Sequence, residues 1–311
     1  MSEQFISISL KDVLVGEELP CTLYVYISFR FITLRAKGDI VDRATYDRLD
    51  FKKVHTLFIS DQERVVWEKW IQANPIDGKI PPLAPENQGF TRVREDIHRK
   101  TMDIFHSEHP SKIVKSTLES SKKLVDEVMK FPYAVQTLSQ LQRYSRGTVD
   151  HSVNVSVLST YLAMQMGYSH TLILQHVGMG GLLHDIGKTL VKIIDEDNDE
   201  QIAQKMVEHP SLGSKMLEEH KSVPNEVKMI VAQHHENYDG TGHPAGLRGT
   251  QIYDLARIVS IANRFDDLVG NGKGSLKDRQ RKALDDMENV YYRIFDPNKL
   301  TKAIKILKQG V

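Results

Sequence analysis

Three early segments, 5–10 (FISISL), 22–35 (TLYVYISFRFITLR) and 54–59 (VHTLFI), are rich in β-branched and aromatic residues, partly alternating with polar ones. That pattern predicts short strands. Lys37-Gly38-Asp39 predicts a hairpin or strand end, and the segments starting at Asp42 and Asp61 look like helix starts. Residues 1–73 therefore read as a small mixed α/β unit with a regulatory or interaction role. Residues 74–91 hold four prolines and two glycines and read as a linker.

From 92 to 311 the apolar spacing becomes helical. Helices are predicted over 92–108, 111–130, 132–145, 149–166, 170–186, 199–207, 210–220, 224–236, 252–269 and 276–294, with a short one near 297–308. No strand pattern interrupts them. The expected class is α+β overall, a small mixed domain followed by an all-α bundle.

Charge and composition narrow the function classes. The chain of 311 residues carries 41 basic and 41 acidic residues, so no global field attracts nucleic-acid polymer or an anionic membrane. Cys21 is the only cysteine, which rules out an internal disulfide and a cysteine-based zinc site. The opening MSEQFISISLKD lacks a signal-peptide pattern, and no apolar run reaches membrane-spanning length. A cytoplasmic protein is expected.

Histidine is the unusual count, because nine of 13 fall between His151 and His243. His184 and Asp185 adjoin at the end of an apolar helix, beside Gly187, a natural helix terminus. A metal would offset the cost of burying Asp185 among leucines, whereas a surface helix end would need none. Val227, Ile230, Val231 and His234 share one helix face, and His235 follows. A hydrogen-bonded core histidine is the plain alternative for His234. His209 is fixed ahead of a helix by Pro210, and His151 lies four residues before Val155 on an apolar face. Each of these alone reads as structural. Together, five histidines and Asp185 on four helices exceed what one tetrahedral ion needs, and suit two ions sharing Asp185. The loop Glu236–Leu247, with three glycines, is a candidate substrate or partner surface beside them.

Over about 100–310, these motifs (His151, His184-Asp185-Ile186-Gly187-Lys188, His209-Pro210, His234-His235-Glu236 and Asp239-Gly240-Thr241-Gly242-His243-Pro244) resemble the HD-GYP family of HD-domain metallophosphohydrolases. The resemblance implies an all-α domain binding two divalent metals, iron or else manganese, and hydrolysis of cyclic di-GMP. It implies His151, His184, Asp185, His209, His234 and His235 as ligands, with Asp185 bridging and Lys188 contacting the scissile phosphate. Asp185 and Lys188 are then the catalytic residues. Lys188, Thr241, Gly242, His243 and Lys273 are the expected substrate contacts. Signalling proteins would dock on the 239–244 loop or the N-terminal domain.

The sequence also departs from that family. His243 replaces the family's tyrosine, and Asn263 stands where an aspartate ligand is expected, leaving it as an additional candidate ligand. Gly147 stands where three-metal members carry glutamate, and Gly270–Ser275 replaces an arginine-rich stretch, with Lys273 as the one basic residue. Three functions follow as expectations: a cyclic di-GMP phosphodiesterase, a degenerate member that senses the nucleotide or binds proteins, or a hydrolase of another phosphoester.

Overall fold

In the computed structural model the described residues are 5–27, 30–52, 54, 56–73, 93, 96–101, 103, 114–130, 148–194, 198–272 and 275–310. The expected linker 74–91, the helix 132–145, Gly147 and Lys273 lie outside them.

The N-terminal part is a four-stranded antiparallel sheet in the order β1-β4-β2-β3: β1 Phe5–Ser9, β2 Leu23–Ile27, β3 Arg30–Arg35 and β4 Thr56–Ser60. The single segment expected over 22–35 is in fact two strands of a hairpin, and the Lys37–Asp39 turn follows the second. Helices α1 (Arg43–Phe51) and α2 (Arg64–Ala73) complete it. Asp42 caps α1 by accepting from Thr45 N at 2.7 Å. The apolar strand positions Leu23, Leu57 and Ile59 are buried with Tyr46, Leu49 and Trp67 in a core of their own.

The rest is helical among the described residues: α3 Val114–Lys130, α4 Thr148–Gln165, α5 Thr171–Leu183, α6 Asp199–Met206, α7 His209–Glu218, α8 Asn225–Gln233, α9 Asp254–Asn271, α10 Leu276–Asn289 and α11 Pro297–Leu307. This is the expected α+β class. Three helices stop three or more residues earlier than their spacing predicts. The 170–186 helix ends at Leu183 and resumes as a 3₁₀ turn over Ile186–Leu190. The 224–236 helix ends at Gln233, and the 276–294 helix at Asn289.

The sequence predicts one apolar face for α4, but the helix is buried all round between Val149 and Ala163. Two of its buried hydroxyls find carbonyl partners: Ser156 Oγ donates to Gly178 O at 2.6 Å and Ser159 Oγ to Val155 O at 2.6 Å. Glycines on α5 let the two helices approach closely. A Cβ at Gly181 would meet Ser159 Oγ at 2.8 Å and Ser156 Cα at 2.9 Å, and one at Gly178 would meet Thr160 Oγ1 at 2.9 Å. This approach brings the start of α4 beside the end of α5. Gly187 works in the same way and does not act as a helix stop. A Cβ there would lie 1.9 Å from His209 O and 2.6 Å from Gly213 N, so the 3₁₀ turn sits directly on the start of α7.

Candidate metal centre

The early helix ends have a chemical consequence. His184 caps the C-terminus of α5, Asp185 leads the 3₁₀ turn, and His234 and His235 follow α8. His209 opens α7 with Pro210 behind it, and His151 lies in the first turn of α4. All six meet at one place. Asp185 is 1% exposed, and His151, His184, His209 and His234 are buried with it; His235 is half-buried.

The donors fall into two groups, His151, His184 and Asp185 in one and Asp185, His209, His234 and His235 in the other. Within each group every ligand atom lies within 4.8 Å of the others, and Asp185 belongs to both. Its two oxygens divide the work. Oδ2 lies 3.3 Å from His184 Nε2 and 3.8 Å from His151 Nε2. Oδ1 lies 3.2 Å from His209 Nε2 and 3.9 Å from His234 Nε2.

Hydrogen bonds outside the cluster set the tautomers. Nδ1–H of His184 donates to Gly181 O at 2.8 Å, of His209 to Met206 O at 2.6 Å, and of His234 to Val231 O at 2.8 Å. His151 Nδ1–H donates to Asp266 Oδ2 at 2.8 Å. With the proton on Nδ1, each Nε2 presents a lone pair inward, the arrangement that orients metal-bound imidazoles. The inward nitrogens then crowd each other: His151 and His184 Nε2 are 3.2 Å apart, and His209 and His234 Nε2 are 3.1 Å apart. Asp185 Oδ1 has no hydrogen-bond donor among the described residues. Lone pairs facing a buried carboxylate oxygen repel unless a cation lies among them. This donor set of imidazole nitrogen and carboxylate oxygen fits divalent first-row metals.

Electrostatics agree with that fit. Burial would push the Asp185 carboxyl up, but His184 and Lys188 outweigh it and hold it well below the usual carboxylate range. Lys188 Nζ donates to Asp185 Oδ2 at 2.6 Å with its side chain 31% exposed. Burial, then the neighbouring imidazoles, press His234 and His235 well below the usual histidine value, keeping both rings neutral. His151 behaves differently. Burial lowers its pKa, but Asp267 and Asp266 outweigh this and raise it.

The model of the HD domain family matches residues 111–298, more than half of the sequence. The chain belongs to the HD-domain family. Within that family, a protein of Pseudomonas aeruginosa named as a cyclic di-GMP phosphodiesterase is 34% identical over 159 residues, 48% of this chain and 37% of that one. A Vibrio cholerae protein named as a 3′3′-cGAMP-specific phosphodiesterase is 31% identical over 167 residues, 51% of this chain and 36% of that one. The chain thus spans well under half the length of either relative. The fold is shared with a Bdellovibrio bacteriovorus structure titled an HDG"Y"P protein, with a TM-score of 0.59 at 23% identity over 98% of this chain and 100% of that one.

The loop after His235 is shaped by Glu236, a residue the motifs include without a role. Its buried carboxylate accepts from Ala245 N at 2.6 Å and Leu247 N at 2.8 Å. Of the expected substrate contacts on this loop, Thr241 is exposed, and its N and Oγ1 both donate to Asp239 Oδ1, at 3.0 and 2.6 Å. Gly242 leaves no room for a side chain, since a Cβ there would meet Asn237 N at 2.2 Å. His243 stacks on His235 with ring centroids 4.9 Å apart, adjoining the ligand groups without belonging to either. Asn263 is buried on α9, and its Oδ1 has no hydrogen-bond partner among the described residues.

Sequence reasoning missed Asp266, which is 1% exposed. It lies one turn after Asn263 on α9 and anchors His151; Asn154 Nδ2 donates to its Oδ1 at 3.1 Å. The i,i+3 spacing from Asn263 was the available signal.

Proposed function

We propose that this HD domain is a metal-dependent phosphodiesterase that hydrolyses cyclic di-GMP at a dinuclear site. The observation that carries the reading is the pair of ligand groups joined through the two oxygens of Asp185. Divalent ions so close together would polarise phosphoryl oxygens and make water nucleophilic at neutral pH; iron is favoured, with manganese as alternative. Asp185 and Lys188 are the catalytic residues of this reading. Asp185 would bridge the ions, and Lys188, partly exposed beside it, would offset charge developing on the phosphate. The ligands are His151, His184, Asp185, His209, His234 and His235, with the buried Asn263 Oδ1, unpartnered among the described residues, as an additional candidate. The names of the two relatives support a cyclic dinucleotide as substrate class. Residues 1–73 are the regulatory unit, 74–91 the linker and 92–311 the hydrolase domain of this reading.

Purified protein loaded with iron or manganese is expected to convert cyclic di-GMP to the linear dinucleotide or GMP, and Asp185→Ala to abolish turnover. Absence of turnover in protein shown to contain metal would contradict it.

A second reading has specific support: His243 in place of the family tyrosine and Asn263 in place of a carboxylate, whose neutral oxygen is the poorer ligand. It makes the chain a cyclic di-GMP sensor or interaction module that binds without cutting. Metal-loaded protein that binds cyclic di-GMP and leaves it intact is its signature.

A further inference from the structure

One edge of the ligand cluster is built by the N-terminal part of the chain. Arg43, in the first turn of α1, is 4% exposed and reaches across to α9. Its Nη2 lies 3.5 Å from Asp266 Oδ2, the same oxygen that accepts from His151 Nδ1. A slot receives it. Gly270 stands one turn after Asp266, and a Cβ there would lie 2.6 Å from Arg43 Nε and 2.8 Å from Nη2. The contact is reciprocated. Arg279 of α10 reaches back to the N-terminal part, with Nη2 3.2 Å from Glu17 Oε1 and Nη1 donating to Val269 O at 3.2 Å. A Cβ at Gly16, where φ is +79°, would lie 2.4 Å from that Nη1. Two arginines, each seated where only glycine leaves space, lock α1 and the preceding loop against α9 and α10. Asp47, one turn after Arg43, feels the charges of the same cluster. Burial raises its carboxyl, against the pull of Arg43, Lys188 and His151.

Arg43 and Asp266 are both buried, so removing the guanidinium leaves a buried carboxylate short of a counter-charge. That carboxylate is what orients His151. We propose that Arg43 is a positioning residue for the metal centre: through Asp266 it holds His151, so the N-terminal unit controls occupancy of the His151–His184 half. The inference rests on the dinuclear reading above. Partners that hold a ligand's far side are worth about 10- to 100-fold in metal affinity.

The test is a titration of the full-length metal-free protein with Mn²⁺ in parallel with Arg43→Ala, Arg43→Lys and Gly270→Ala. Wild type is expected to bind two equivalents. Arg43→Ala should weaken one of them by about 10- to 100-fold and leave the other unchanged. Gly270→Ala, which displaces the guanidinium without removing it, should act in the same direction, and Arg43→Lys should rescue in part. In a His209→Ala background, where the His151 half alone is intact, Arg43→Ala should weaken the one remaining equivalent by the same factor. In an Asp266→Asn background it should add nothing. A purely structural role would instead weaken both equivalents alike and expose the buried Cys21 thiol. Should Arg43→Ala fail to fold, the lysine and Gly270 variants decide by the same criterion. Two equivalents with unchanged affinities in the folded variants overturn the inference and leave the dinuclear reading standing. Wild type that binds no metal overturns both.

Discussion

The two halves of the candidate centre are built differently. On the Asp185 Oδ1 side, His209 and His234 each donate Nδ1–H to a carbonyl three residues earlier in their own segment, Met206 and Val231. On the Oδ2 side His184 does likewise with Gly181, but His151 relies on Asp266, 115 residues away, and through it on Arg43. One half is fixed by local backbone at helix ends. The other is fixed by packing between distant parts of the chain. A centre assembled this way should have one robust site and one conditional site.

Replacing the shared residue removes the distinction altogether. Asp185→Ala should eliminate tight binding at both halves and reduce hydrolysis to background, measured by metal content and product release on one preparation. Tight binding of one equivalent by this variant would mean that the halves are independent. Next in size is Gly187→Ala. The new Cβ would collide with His209 O and Gly213 N, backbone atoms that cannot turn aside. We expect a loss of about 1–3 kcal/mol in urea unfolding, with metal affinity falling chiefly on the Oδ1 side, where His209 is displaced.

The halves should also part company with pH. His151 titrates above the usual histidine value and His234 and His235 well below it. Protons compete for a ligand only once pH approaches its pKa. As pH falls from 8 toward 5, the His151 half should therefore release metal first, seen as a two-step loss in a Mn²⁺ titration series. Stability of the metal-free protein carries the matching sign. Histidines held below their unfolded value contribute stability at high pH, and that contribution is lost as pH falls below the unfolded value of about 6.5. The smallest effect is expected at Cys21, buried in the N-terminal core with its thiol pushed up to about 12, mainly by burial. It should stay unreactive toward thiol reagents at pH 8 until the N-terminal unit unfolds, which separates loss of that unit from loss of either metal.

The contrast between the halves also explains what the sequence displayed. Candidate ligands at helix ends are legible, because apolar spacing locates His234 and a following proline fixes His209. The motif order then implies the family. Legibility ends where a side chain acts at long range. Asp266 reads as one more charge on an amphipathic helix, marked only by its spacing from Asn263, and Arg43 as part of a helix start, with nothing local to mark it as a buried partner. Glycines carry the same lesson. Gly187 looks like a helix stop and Gly270 like a worn remnant of an arginine-rich stretch. Both are close-approach points, Gly187 against His209 O and Gly270 against the guanidinium of Arg43. The loop's internal contacts are equally invisible in the sequence: Thr241 bonds its own turn, and Gly242 sits where a Cβ would meet Asn237 N.

The central claim is a pair of metal sites sharing Asp185, and metal stoichiometry tests it most directly. Anaerobic titration of metal-free protein with Fe²⁺, followed by elemental analysis after gel filtration, should give two equivalents per chain in wild type, one in His209→Ala and none held tightly in Asp185→Ala. A wild-type stoichiometry of one or fewer, in protein whose Cys21 remains protected, would contradict the account.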